Sequence, residues 1–235
     1  MECFQYAFVS GVPLDVVNKY FKPDGKIVLD TSQMNVIVDF IKDGWSDALK
    51  YIANPIYSGK KLRAIYDAQK EQNKTLYFIN IEYLLKFNSE QIPEVVRGIK
   101  TLYPKDTELF KSWIDENTTP DQISFAVNYI SSIFTRTLLM KKSDIKKELF
   151  PEDKFSEEQK DFIVDSIWDG LKPKKAVLLA DSRYTVPQMQ LVKEVIQSNL
   201  PKEQIALICN PRLSYEEMLK VLLSVTEYNF NQKNN

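Results

Sequence analysis

Apolar positions recur with a helical period, and one arrangement of polar and apolar positions returns seven times along the chain. Each copy opens with a residue suited to cap a helix, and in six copies an apolar residue follows four positions later. Further apolar residues stand three and seven positions beyond that one, a spacing typical of a helix that buries one face. The pattern predicts seven amphipathic helices with caps at Asp30, Ser58, Asn88, Thr119, Ser156, Thr185 and Ser214.

The residues around each cap predict how the helix begins. The cap side chain can accept a hydrogen bond from an N–H of the first turn. In six copies the residue three positions later is Gln or Glu, which can accept from the cap's own N–H and complete a capping box. These residues are Gln33, Gln91, Gln122, Gln159, Gln188 and Glu217. The copy at Ser58 has Lys61 there, and the copy at Ser156 has Lys160 in place of the apolar residue, so we expect unusual packing near Lys160.

A second, shorter helix is predicted in most copies. The first helix breaks at a turn such as Asp43-Gly44, and a proline often stands near the start of the second helix. These prolines are Pro13, Pro104, Pro173 and Pro201. A unit of helix, turn, helix and turn therefore repeats every ~29 residues. We predict an all-α fold, an α-solenoid of about seven helix-turn-helix repeats plus an N-terminal half-repeat over residues 1–28, which forms a single elongated domain over 1–235.

Three segments depart from the regular pattern. Ile123 and Lys160 occupy equivalent positions but stand 37 residues apart, so residues 131–154 are expected to be irregular, with Ser143 as the cap of an additional short helix. Residues 74–86 could form a strand by local propensity, but their position in the repeat favours a second helix. The polar residues 229–235 are expected to form a frayed tail.

The composition argues against catalysis. The chain has no histidine, which removes the commonest general base and metal ligand, and its 6 glycines form no phosphate-binding loop. Two glutamate pairs, Glu157-Glu158 and Glu216-Glu217, fall in predicted first turns, where the helix dipole favours them. We therefore predict no enzyme activity, no catalytic residue, no metal and no cofactor. A catalytic site built from carboxylates alone is the one alternative that the composition leaves.

The charge and the cysteines indicate a compartment and exclude some partners. The net charge is −1, so no overall field attracts nucleic acid or a membrane surface. The two cysteines, Cys3 and Cys209, have no metal or redox spacing, and Cys209 is interpreted as a small buried apolar side chain. No leader and no apolar run of about 20 residues is evident, so we expect a cytoplasmic protein without a membrane partner.

One column of the repeat carries candidate binding residues. Lys42, Lys70 and Lys100 fall at equivalent positions on three successive helices. They are interpreted either as part of a solvated face or as a basic ladder for an acidic partner or a phosphate backbone. Trp168 occupies the same column in the copy at Ser156, and either a packing adjustment or a binding anchor explains it.

The last predicted helix offers another candidate surface. Leu219 and Leu223 stand in columns that are mostly polar in the other copies. The final unit of a repeat array normally presents a polar outer face. We therefore expect self-association, including a possible homodimer, or a protein partner at this helix.

The repeat also resembles a known group of sequences. It shows an aromatic residue, a cap, Gln-Met, a glycine break and a segment such as Tyr51-Ile52-Ala53-Asn54-Pro55. This pattern resembles tandem helical repeats in uncharacterised proteins of phages and mobile elements of Gram-positive bacteria, most closely over 31–57, 155–183 and 184–218. By analogy of architecture it is similar to tetratricopeptide and HEAT arrays, which bind macromolecules along an extended surface.

These features predict a non-catalytic, protein-binding α-solenoid whose surface is a long ribbon without a catalytic pocket. The resemblance implies that the target could be a host protein, such as a defence factor, that the element inhibits or redirects. The alternative is a protein that binds a nucleic-acid backbone through the lysine ladder. The neighbouring Lys60, Lys61 and Arg63 would then contribute.

Overall fold

The computed structural model describes residues 2–22, 26, 28–72, 79–132, 141–198 and 200–233. All regular secondary structure in these ranges is helical, as the sequence predicts. The α-helices are α1 (Glu2–Val9), α2 (Leu14–Tyr20), α3 (Thr31–Lys42), α4 (Leu49–Ile52), α5 (Gly59–Gln72), α6 (Ile81–Leu84), α7 (Gln91–Thr101), α8 (Pro104–Trp113), α9 (Pro120–Ser132), α10 (Lys142–Leu149), α11 (Glu157–Trp168), α12 (Pro173–Ala176), α13 (Val186–Gln197), α14 (Lys202–Ile208) and α15 (Tyr215–Lys233). Short 3₁₀ segments, Ser46–Ala48 and Val177–Leu179, precede α4 and follow α12. The chain divides into two compact units, residues 1–100 and 101–235.

The predicted caps and boxes are confirmed. In six repeats the cap N–H donates to the side-chain oxygen three residues later, at 2.7 to 3.0 Å, and the cap side chain accepts from the backbone N–H of that residue. Ser58 accepts from the N–H of Lys61 at 3.2 Å. The Lys61 ammonium has donors only, so it cannot accept the reciprocal bond.

The second helices begin where the prolines predict. Pro104 and Pro173 are the first residues of α8 and α12, and Pro13 and Pro201 immediately precede α2 and α14. The predicted breaks at glycine are also present. Gly11, Gly44 and Gly170 have φ of 72°, 80° and 96°, a conformation that side chains with a Cβ rarely adopt.

Each of several buried amides makes a further bond to the turn that ends its own repeat. Gln33 donates to the carbonyls of Pro55 and Tyr57 at 3.1 and 2.6 Å. Gln159 donates likewise to Ser182 and Tyr184 at 3.1 and 2.5 Å, and Gln188 to Leu213 at 2.7 Å. Lys61 donates to the Leu85 carbonyl at 2.6 Å, and burial lowers the pKa of its amine. The start of the first helix is therefore tied to the end of the second.

In the first unit, α3 packs against both α1 and α5. Its core side chains Ile37 and Phe40, with Leu62 and Ile65 of α5, are fully buried. The two helices approach closely at Gly59. A Cβ at Gly59 would lie 2.0 Å from the Ser32 Oγ and 3.0 Å from the Ser32 backbone carbon. Only glycine fits there without a shift of α3.

In the second unit the helices pack in series, with α9 against α10, α10 against α11, α11 against α13 and α13 against α15. The Val177–Leu179 segment contacts both α9 and α13. The irregular segment 131–154 does contain an additional helix, although residues 133–140 lie outside the described residues. Its predicted cap is wrong. Lys141 is the N-cap of α10, because its carbonyl accepts from the N–H groups of Asp144 and Ile145 at 3.0 and 3.1 Å, which places Ser143 inside the first turn.

Two further expectations concern segments of which the structure describes only a part. Residues 73–78 lie outside the described residues, but Asn80 caps the short helix α6 within the described part, 79–86, where a strand was the competing interpretation. Residues 229–233, at the start of the segment expected to form a frayed tail, continue α15. Asn229 is held there by two hydrogen bonds to the side chain of Gln204, at 3.0 and 2.9 Å.

We predict that Gln188→Ala lowers the free energy of unfolding by about 1–3 kcal/mol, because it leaves the Thr185 N–H and the Leu213 carbonyl without partners. Urea unfolding measures the loss. Gln190→Ala, on the exposed side of the same helix, is the matched control and should change stability by less than about 0.5 kcal/mol. Equal effects of the two substitutions would contradict a structural role for the buried amide.

Candidate functional site

The three lysines of the predicted ladder each contact a partner inside their own unit. The Lys70 amine lies 3.9 Å from the Asp43 carboxylate and donates to the Tyr66 hydroxyl at 3.2 Å. Hydrogen bonding to Tyr66 raises the pKa of Lys70. The Lys100 amine pairs with Glu71 at 2.7 Å, and the Lys42 amine lies 5.4 Å from the centre of the Tyr6 ring.

The neighbouring basic residues are engaged as well. Arg63 pairs with Asp39 at 2.7 Å, and Lys60 lies 3.8 Å from Glu90. Carboxylates at these distances offset much of the field that a phosphate backbone would meet. The geometry favours the interpretation as a solvated face, and the nucleic-acid interpretation stays a prediction.

We expect the variant Lys42→Gln/Lys70→Gln/Lys100→Gln to bind labelled duplex DNA no differently from the original chain, because these amines already have acidic or aromatic partners. Fluorescence anisotropy between about 50 and 200 mM salt gives the slope of affinity against salt. If the original chain binds and the triple variant lowers that slope by about 0.9 for each lysine removed, the ladder is a phosphate-binding site.

Trp168 ends α11 and is 56% exposed. The amine of Lys142, from the additional helix α10, lies 5.5 Å from the centre of its ring and pairs with Asp165 at 2.8 Å. The contact supports a packing role for one part of the ring, while the exposed part is available to a partner. Trp168 therefore stays a candidate binding residue.

The unusual packing expected at Lys160 is confirmed. This residue is only 6% exposed, yet its amine reaches Glu157 at 2.9 Å and Asp153 at 3.4 Å. Nearby, Lys146 of α10 pairs with Glu157 at 2.8 Å and with Asp161 at 2.5 Å. The additional helix is therefore attached to α11 through charged groups.

The last helix, α15, exposes the apolar side chains that the sequence singled out. Among its described side chains, residues 215–231, Met218 alone is buried. Leu223 is 61% exposed and Phe230 69% exposed, while Leu219 is partly buried. Spacings of four and seven residues place these three side chains on one side of the helix.

The second unit also contains a cavity of about 440 Å³. It is bounded by the end of α8, the turn after α8, the segment that includes α12, and α14. Lys174 donates to the Ser112 carbonyl at 2.7 Å, and Lys202 pairs with Asp115 at 2.5 Å, so residues 62 and 87 positions apart in the chain meet here. Contacts between segments so far apart in the chain, and a cavity between them, were not predicted from the periodic pattern.

The additional residues before α11 explain why these distant segments meet around the cavity. Gln122 does not reach the turn that ends its own repeat but donates to the Leu178 carbonyl at 3.2 Å. The adjacent Asp121 carboxylate accepts from the N–H and the hydroxyl of Ser182, at 3.1 and 2.5 Å. The start of α9 is therefore attached to the end of the following repeat, which brings distant second helices together.

The charged groups along the cavity differ in whether they have a partner of opposite charge. Lys174 and Lys175 bond to backbone carbonyls, of Ser112 at 2.7 Å and Ile196 at 2.5 Å, and neither amine has a carboxylate partner among the described residues. Lys202, in contrast, pairs with Asp115. Burial alone would raise the pKa of Asp115, but the bonds from Lys202, the Asn117 N–H and Thr118 hold it below its ordinary value.

Cys209 lines the same cavity. Burial raises the pKa of its thiol to about 12, so the thiol is protonated near neutral pH and is a poor nucleophile. This agrees with the interpretation as a small apolar side chain, although Cys209 is half-buried instead of fully buried. Within the described ranges no group of three His, Cys, Asp or Glu residues could hold a metal ion, and no helix has the length and hydropathy to cross a membrane.

The residues of the cavity were missed by the periodic pattern because they belong to second helices and turns, where the repeat is least regular. The enlarged spacing between Ile123 and Lys160 did mark the place where stacking changes. It could not show which distant helices would meet, since that depends on how the extra segment folds.

Comparison with known protein families, with curated proteins and with solved structures gives no match to the chain.

We expect Asp115→Asn to lower stability near pH 7 but not near pH 2. The folded-state pKa of Asp115 is depressed, so its contribution is present above the ordinary value and disappears as the pH falls through the folded value. Thermal unfolding over this pH range measures the difference. Asp67→Asn, at an exposed position of α5, is the matched control for loss of a carboxylate, and a parallel loss in both variants would contradict the role given to the Lys202 pair.

Proposed function

We propose that the chain is a non-catalytic α-solenoid that binds another protein through the exposed side of its last helix. The observation that carries this proposal is the apolar face formed on α15 by Leu219, Leu223 and Phe230. A partner that covers large apolar side chains removes them from water, which is the main favourable contribution in most protein associations.

The attachment of α15 supports its use as a binding surface. The Ser214 and Glu217 capping box fixes its first turn, Met218 is fully buried beneath it, and Asn229 bonds to Gln204 of α14. The helix is therefore held at both ends of its apolar face. A pre-ordered surface loses less conformational entropy when a partner binds.

The other repeats support a specific role for these leucines. The positions equivalent to Leu219 hold polar side chains such as Asn35, Arg63 and Gln190. In the structure Arg63 forms an ion pair and Gln190 is exposed. The change to leucine in the last repeat thus introduces apolar surface where earlier repeats present polar groups.

The partner class is inferred from the resemblance and from the chemistry of the face. The resemblance to repeat proteins of phages and mobile elements suggests a host protein, for instance a defence factor, which the chain would inhibit or redirect. The face would accept an apolar groove or helix of that protein. Pairing with a second copy through the same helix would use the same surface, and the oligomeric state distinguishes the two cases.

We predict that Leu219→Lys/Leu223→Lys abolishes capture of the partner by the purified chain, because two ammonium groups would have to be desolvated in the interface. Affinity purification from host lysate with mass spectrometry detects a host partner. Sedimentation velocity over a range of concentrations detects a homodimer.

The matched control is Lys220→Ala, which changes an exposed residue of the same helix between the two leucines. It should leave capture and sedimentation unchanged. A double variant that captures the same proteins and sediments as the original chain would show that this face is not the binding surface.

A further inference from the structure

The cavity of the second unit has the size and the lining of a small-molecule site. Its volume of about 440 Å³ lies within the range of about 300–1,000 Å³ that is common for such sites. Much of the lining is apolar. The apolar residues that carry the argument are Trp113, Ile114, Val177, Leu178, Ile205 and Ala206.

The polar groups at the cavity indicate the charge of a ligand. The ammonium groups of Lys174 and Lys175 each donate one hydrogen bond to a carbonyl, and an ammonium has three N–H donors. Each can therefore donate a further hydrogen bond to an anionic partner. The carboxylate of Asp115 is already bound by Lys202, and Glu116 and Glu203 lie close enough to Lys202 to act on its charge. The unpaired charge in the lining is positive and lies at Lys174 and Lys175.

We propose that this cavity binds a small apolar carboxylate. The apolar part lies against the Trp113, Val177 and Ile205 side of the cavity, and the carboxylate pairs with Lys174 and Lys175. A charge-assisted hydrogen bond is roughly twice as strong as a neutral one, which gives the carboxylate its preference over an alcohol. This site is separate from the face on α15, because Leu219 and Leu223 do not line the cavity.

The experiment uses the full chain and decanoate as the probe. Isothermal titration calorimetry is expected to show saturable binding of one decanoate per chain. Decanol, with the same alkyl chain and no charge, and decyltrimethylammonium, with the opposite charge, should each bind at least about tenfold more weakly. Equal affinity for all three would overturn the assignment of the carboxylate to the lysines.

Two variants test the location. Ala206→Trp fills the cavity and should abolish decanoate binding, whereas Leu207→Trp adds the same side chain at the next position, which is 62% exposed and does not line the cavity. The control variant should bind decanoate like the original chain. Lys174→Met/Lys175→Met should weaken decanoate about tenfold and leave decanol unchanged.

A separate readout covers the case in which Ala206→Trp fails to fold, which circular dichroism would reveal. Decanoate should change the tryptophan fluorescence of the chain, and this change should be lost in Trp113→Phe, because Trp113 lines the cavity. Absence of saturable decanoate binding, or binding that neither changes the fluorescence of Trp113 nor responds to the lysine substitutions, would overturn the proposal. Leu219→Lys/Leu223→Lys should still bind decanoate, so failure here and failure of the protein-binding proposal can be told apart.

Discussion

A buried amide that bonds in two directions is the interaction on which the repeat depends. Its oxygen accepts from the N–H of the helix cap, and its nitrogen donates to the turn that ends the same repeat, as at Gln33, Gln159 and Gln188. With both bonds formed, none of these polar groups is left unpaired. An unpaired polar group inside the protein would lower its stability. Where another residue replaces the glutamine, only one of the two bonds is formed. Lys61 keeps only the donor, and Glu217, in the last repeat, keeps only the acceptor.

The additional segment before α11 turns a regular arrangement of repeats into one that encloses space. Once α9 is bonded to Leu178 and Ser182, the end of α8 bonds to α12 and the turn after α8 bonds to α14, while α8 also packs on α9. Short second helices with small and apolar side chains do not fill the space between them. The apolar face on α15 and the cavity thus have different origins. The face results from a change of residue type at equivalent positions of the repeats, and the cavity results from a longer spacing between two successive repeats.

Local features of this protein could be predicted from its sequence, whereas contacts between distant repeats could not. Caps, boxes and breaks depend on residues within a few positions of one another, so Ser156, Gln159 and Gly170 are enough to place them. The cap of α10 was misplaced because Lys141 begins the helix through its backbone alone, without a side-chain signal. The pairing of Lys202 with Asp115 depends on the fold of everything between them.

The close approach at Gly59 limits how the array can change during evolution. Tandem repeats lengthen and shorten when recombination exchanges one copy for another. The position after the cap is a residue with a Cβ in the other copies, so a copy moved into the second place would put that carbon 2.6 Å from the Ser32 Cβ. The packing of α3 against α5 therefore requires the particular residues of these two repeats. The first two copies would have to be inherited together.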